Sequence, residues 1–154
     1  MIDIRSSAFL LALLFTVTSA WSQEKKILRS DLPLAVEKTV ASNSEGSTVL
    51  GFSQEIEHGQ TYYEAKMALH GHSKDFLIDA SGTIIEIEEQ VELSSLAPSV
   101  KDRLLAKAGK GKVIKVESLT KHGTVVAYEA QVLTGRRKLE VQVGPEGQTL
   151  AHEE

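Results

Sequence analysis

Four short clusters in this chain have residue types that do chemistry. His70-Gly71-His72 sets two imidazoles two positions apart, on one side of a strand if the strand continues there. That spacing makes His70 and His72 weak candidates for a metal that further ligands would have to complete. Gly71 between them favours a polar hairpin tip instead, and so does Arg136, which stands at the position matching His72 in a second copy of the pattern. Glu86, Glu88 and Glu89 form a carboxylate cluster. Acid/base work would need one of those pKa values pushed away from the others, and an exposed strand offers no means of doing that. Asp79-Ala80-Ser81-Gly82 begins like a calcium loop, but the later glycine and the bidentate glutamate are not at the required spacing, so it reads as a turn. Gly109-Lys110-Gly111-Lys112 lacks the spacing of a phosphate-cradling loop and also reads as a turn. No nucleophile motif of the G-x-S-x-G, H-E-x-x-H or Cys-His kind occurs. No catalytic residue and no cofactor is assigned, and an enzyme is not expected.

The elements that would position such groups begin after the N-terminus. Residues 1–22 read as a secretory signal: Arg5 near the free amine, an apolar run from Ala8 to Val17, then small residues at Thr18, Ser19, Ala20 and Ser22. Cleavage is expected after Ser22, with Ala20 the alternative. A ten-residue run falls short of the roughly 20 needed to cross a hydrocarbon core, and no other segment is apolar enough to span. Residues 23–29 read as a linker. About 130 residues then remain, enough for one sizeable core or two small ones. The sequence contains no cysteine, which excludes disulfides, a zinc-thiolate site and a lipidated N-terminal cysteine. The expected location is therefore the periplasm or outside the cell.

Charge is uneven. Residues 31–92 hold twelve acidic groups and three lysines, whereas residues 93–154 hold ten basic groups and seven acidic ones. Such a dipole can steer a partner or pair the halves with each other. The overall charge of −4 and the lack of aromatics among the basic groups argue against nucleic acid.

A repeat organises the rest. HGQTYYEA from His58 returns as HGTVVAYEA from His122. The His-Gly pairs lie 64 positions apart and the Tyr-Glu-Ala triplets 65 apart, so one residue is inserted just after the turn. The match extends from Leu32 with Leu96 to Gly82 with Gly147, giving repeats at 30–92 and 93–154. Each opens with a helix: Leu32, Val36 and Val40 form one apolar stripe, and Leu96, Val100, Leu104 and Leu105 form the other, with Pro33 and Pro98 at the starts. Strands follow. Leu50, Phe52 and Ile56 share a parity, as do Ile114 with Val116, and Tyr63, Ala65 and Met67 alternate with polar neighbours. Ile85 and Ile87 are expected inside the last strand, with Glu86 and Glu88 outside. The fold class that follows is α+β: two tandem repeats, each one helix packed on a four-stranded antiparallel β-meander.

The order Leu32-Pro33-Leu34-Ala35-Val36 in a helix, Tyr63-Glu64-Ala65 in a strand and Ile78-Asp79-Ala80-Ser81-Gly82 before a final strand resembles the PepSY-like domains, which group with the β-lactamase-inhibitor-protein fold. The second copy departs from the pattern, since Val143-Gly144-Pro145 replaces Ile78-Asp79-Ala80 and its turn lacks the aspartate. The resemblance implies an exported module that binds or inhibits other proteins, often peptidases. Alternation leaves Tyr62, Glu64, Lys66, Leu77, Ile84, Glu86 and Glu88 on the face away from the helix. Ala127, Glu129, Gln131, Leu133 and Gln142 are their counterparts. Large apolar groups rimmed by charge mark a contact site, unless the two lobes pack these faces on each other. The expected function is a non-enzymatic protein-binding module with a partner in the envelope or outside the cell. The alternatives are a periplasmic metal- or small-ligand-binding protein and a self-associating structural protein. Oligomeric state is left open.

Overall fold

The computed structural model describes residues 24–57, 59–152 and 154; the expected signal segment, its cleavage point and His58 lie outside them. The elements are β1 (Lys25–Ile27), α1 (Leu34–Asn43), β2 (Thr48–Glu57), β3 (Gln60–Leu69), β4 (His72–Asp79), β5 (Ile84–Gln90), α2 (Pro98–Ala108), β6 (Lys112–Lys121), β7 (Thr124–Thr134) and β8 (Arg137–Val143). All eight strands join one antiparallel sheet in chain order. No helix among the described residues is long and apolar enough to cross a membrane.

Three expectations change here. The halves are not separate meanders, because β5 pairs with β6 from Glu86↔Lys121 to Gln90↔Glu117 and makes the sheet continuous. Within the segment expected as a linker, Lys25–Ile27 pairs with Phe52–Gln54 as an edge strand. The second half has three strands where four were expected. Its last segment, Gln148-Thr149-Leu150-Ala151-His152, lacks the isoleucine alternation of Ile84–Gln90 and takes no place in the sheet.

Each helix covers one cluster of buried side chains. Val36 and Val40 of α1 meet Ala65, Met67, Phe76 and Ile78. Val100 and Leu104 of α2 meet Val116, Ala130, Val132 and Val143. Ile87 packs on the first cluster and pairs with Thr120, which shares the parity of Val116 in the second. Both helices therefore lie on the same face, and the other face is free of helix. Leu105 stands off the α2 stripe at 41% exposure, because Leu96, Val100 and Leu104 already fill that cluster.

β-Bulges correct the strand parities. The register shifts between Val49 and Gly51 and between Val113 and Lys115, so Leu50 and Ile114 turn out to solvent while Val49 and Val113 pack inward. Ile56 is also exposed, near the β2–β3 turn. A further bulge lies in β7, where the stretch from His122-Gly123 to Tyr128 is one residue longer than that from His58-Gly59 to Tyr63: Thr120 pairs with Val125 and Leu119 with Ala127, leaving Val126 unpaired. Ala127, expected on the open face, is fully buried opposite Leu119.

The two helix-docking turns use matching contacts. In the first, Asp79 N donates to Thr83 O and Gly82 N to Asp79 O; in the second, Gly144 N donates to Gln148 O and Gly147 N to Gly144 O. Asp79 Oδ1 accepts from Ser81 N at 2.8 Å and Thr83 N at 2.9 Å, an Asx turn. The second turn lacks the aspartate, and Gln148 Oε1 accepts from Glu146 N at 2.9 Å instead. A side chain at Gly144 would collide with that glutamine. Gly82 and Gly147 both have positive φ and sit against the second residue of a helix; an added Cβ would lie 2.7 Å from Ala35 O or 2.6 Å from Ser99 O.

Gly82→Ala and Gly147→Ala should each cost roughly 2 kcal/mol or more, since strained φ adds to a backbone clash. Gly71→Ala, at a φ of +87° in open space, should cost only about 1 kcal/mol. Urea melts of the three variants check the difference.

Candidate functional site

The helix-free face is hollow. Glu55 on β2 and Glu140 on β8 line one concavity of about 570 Å³. A flat sheet would hold those strands roughly 29 Å apart, so twist and curl bring them round a common space. Six of the seven residues expected on this face line it: Tyr62, Glu64, Lys66, Leu77, Glu86 and Glu88. Ile84 does not. It packs on the α1 cluster, because Ile78 pairs with Ile84 while Leu77 pairs with Glu86, and the bulge between them hands the outward position to Ile85.

The lining holds nine carboxylates and two lysines. Lys66 Nζ lies 3.2 Å from Glu64 and 3.5 Å from Glu24, and Ser53 donates to Glu64 at 2.6 Å. Lys121 Nζ lies 3.2 Å from Glu86 and 3.1 Å from Glu154. Burial lowers the pKa of both ammoniums, but the carboxylates around them more than reverse this, and both end above the ordinary lysine value. Beside them Lys115 meets Glu117 at 2.6 Å, and Ser73 donates to Glu117 at 3.1 Å.

At the seam between the halves, oxygens of Asp75 on β4, Glu88 on β5 and Glu117 on β6 all lie within 4.8 Å of one another. Carboxylates this close share protons or accept a hard cation through oxygen. Burial and repulsion from Glu117, Glu86, Glu129 and Glu64 push Glu88 up to about 8. Burial also raises Asp75, against the lowering effect of the Met67 N–H that it accepts. Sequence alone gave no means of raising a carboxyl in the Glu86–Glu89 cluster; the neighbouring strands supply it. Asp75 and Glu117 were overlooked, although parity pointed to them: Asp75 stands two before Leu77, and Glu117 one after the core residue Val116.

The histidines are elsewhere. Leu69 pairs with His72, so His70 and Gly71, with φ of 53° and 87°, form the two-residue tip of the β3–β4 hairpin. The strand does not continue through them, and His72 Nε2 faces Glu92 Oε1 at 3.8 Å. His122 and Gly123 make the same tip between β6 and β7. Asp79 sits outside the hollow, its pKa lowered by the Ser81 hydroxyl and the Thr83 N–H. Of the counterparts expected in the second half, Glu129 accepts from Gln142 Nε2 at 2.9 Å, and Gln142 Oε1 accepts from Glu154 N.

Neither a family model nor a curated protein matches this chain. Solved structures do. A DUF2874 family protein from Bacteroides ovatus aligns at a TM-score of 0.57 and 20% identity, over 77% of this chain and 84% of that one. A protein from Bacteroides eggerthii described as periplasmic gives 0.61 and 16%, over 77% and 86%. A BLIP-like protein from Bacteroides fragilis gives 0.53 and 18%, over 77% and 83%. The fold is BLIP-like. At these identities the likeness speaks for the fold and for no residue of the hollow.

The raised carboxyl has a thermodynamic consequence. In the unfolded chain Glu88 ionises near 4.5, and in the fold near 8. Between those values the unfolded state holds fewer protons, so stability is full below pH 4.5 and falls as pH rises towards 8. Asp75 adds in the same direction from lower pH. Lys66 and Lys121 act only above the ordinary lysine range, and Asp79 only below the ordinary aspartate range. Denaturant melts from pH 5 to 8.5 should lose on the order of 3 kcal/mol, and Glu88→Gln should flatten that decline.

Proposed function

We propose that this chain is an exported, non-enzymatic binding module that holds an envelope or secreted protein against the concave sheet face. The observation that carries the reading is the hollow itself: Tyr62, Leu77 and Ile85 offer apolar area among charged side chains, on a face no helix covers. The BLIP-like fold supports a binding role by analogy of architecture, and structural neighbours described as periplasmic support export. Within this reading the chain is a tandem pair of PepSY-like units. The matched offsets of Val36 with Val100, Val40 with Leu104 and Gly82 with Gly147 support that pairing.

The test separates the face from the core. A photo-reactive residue in place of Leu77 should cross-link one protein from the host envelope. Tyr62→Ala with Ile85→Ala should abolish that cross-link at an unchanged melting temperature. Ile84→Ala should instead lower stability by about 2 kcal/mol while leaving capture by the folded fraction intact. Capture that survives the Tyr62 and Ile85 changes would move the binding surface elsewhere.

A further inference from the structure

The lining of the hollow is predominantly acidic, with nine carboxylates and two lysines. Both lysines that line the hollow are engaged with Glu64, Glu24, Glu86 and Glu154, and Lys115 is engaged with Glu117. The Asp75, Glu88 and Glu117 oxygens converge within 4.8 Å near the centre of the face. Tyr62, Leu77 and Ile85 stand in the same hollow. An apolar wall beside converging carboxylates suits a long side chain with a methylene stem and a cationic head. A guanidinium adds paired donors in the fork geometry that carboxylates accept.

Resting on the docking reading above, we infer that the protein bound in this hollow is a cationic one, whose lysine or arginine side chain reaches Asp75 and Glu88 from the open side. Charge complementarity selects it: an acidic or neutral segment would leave those carboxylates desolvated and unanswered.

Binding of this kind is linked to protons. Glu88 is faced by Asp75 from β4 and by Glu117 from β6, and it feels Glu64 from β3; the lysines of those strands, Lys66, Lys115 and Lys121, pair with Glu64, Glu117 and Glu86. Glu129 on β7 and Glu86 on its own strand add further negative charge. The charges that act on Glu88 are carboxylates, and with burial they favour its protonated form. An arriving cation takes over the proton's role, and the proton leaves to solvent. Affinity therefore rises with pH although the guest's own charge does not change.

The experiment titrates the full exported chain with hexa-arginine, with hexaglutamate and a Gly-Ser hexamer as controls, at constant ionic strength. Amide shifts locate the peptide, and calorimetry in two buffers of different ionisation enthalpy counts protons. Hexa-arginine should shift residues of β3 to β6 on the open face, release protons, and bind about tenfold tighter at pH 8.5 than at pH 6. Glu88→Gln, confirmed folded by its melt, should weaken binding and remove most of the pH dependence. Hexa-arginine binding equal to the Gly-Ser control, or binding on this face without proton release, overturns the inference. Calcium chloride shifting the same amides where hexa-arginine does not would also overturn it and make the cluster an ion site. A natural partner that cross-links at Leu77 through an acidic or neutral segment defeats the cationic guest and leaves the docking reading standing. A partner that cross-links only elsewhere defeats both.

Discussion

The pairing of β5 with β6 is the contact on which the rest of the molecule depends. Five residue pairs, from Glu86↔Lys121 to Gln90↔Glu117, and the Val91 N–H to Val116 carbonyl bond turn two small α+β halves into one sheet. Each half has its own helix and its own buried cluster, with Val91 at the end of the first half packing on the second. The helix-free face needs both halves. Without the β5–β6 ladder, Glu117 would belong to a different surface from Asp75 and Glu88, and the hollow would have no second wall.

The charge of that face follows from where the apolar residues went. Alternation commits Ala65, Met67, Phe76, Ile78, Val116, Ala130 and Val132 to the helix side. Their neighbours, largely glutamate and lysine, then point the other way. On a flat sheet water would screen them. The curl that brings β2 and β8 round one concavity partly buries these groups, and burial turns ordinary surface carboxylates into ones that repel each other. The pairs Lys66–Glu64, Lys121–Glu86 and Lys115–Glu117 relieve part of this repulsion.

Irregularities in the strands do as much as the regular parts. The paired bulges at Leu50 and Ile114 spoil a simple parity reading in the same way in both halves. The Ile84–Ile85 bulge exchanges a core residue for a face residue. At the helix-docking turns the chemistry is kept while the residues change: Asp79 supplies a carboxylate in one, and Gln148 reaches back over Gly144 to supply an amide oxygen in the other. A turn that appears in sequence to have lost its aspartate has kept its acceptor.

Much of this was legible in the chain before any coordinates. Apolar residues at three- and four-residue spacing located both helices, and period-two alternation located most strands, because both patterns follow from local backbone geometry. Period-two alternation picked six of the seven face residues correctly, because side-chain direction along a strand is local geometry. Tertiary structure decided what depends on neighbours distant in sequence. It decided that the halves share one sheet, that Lys25–Ile27 joins its edge, and that the second half stops at three strands. It also decided that Glu88 and Asp75 are carboxyls whose pKa rises. A pKa shift comes from burial and from charges on adjacent strands, and no stretch of sequence states which strands those will be.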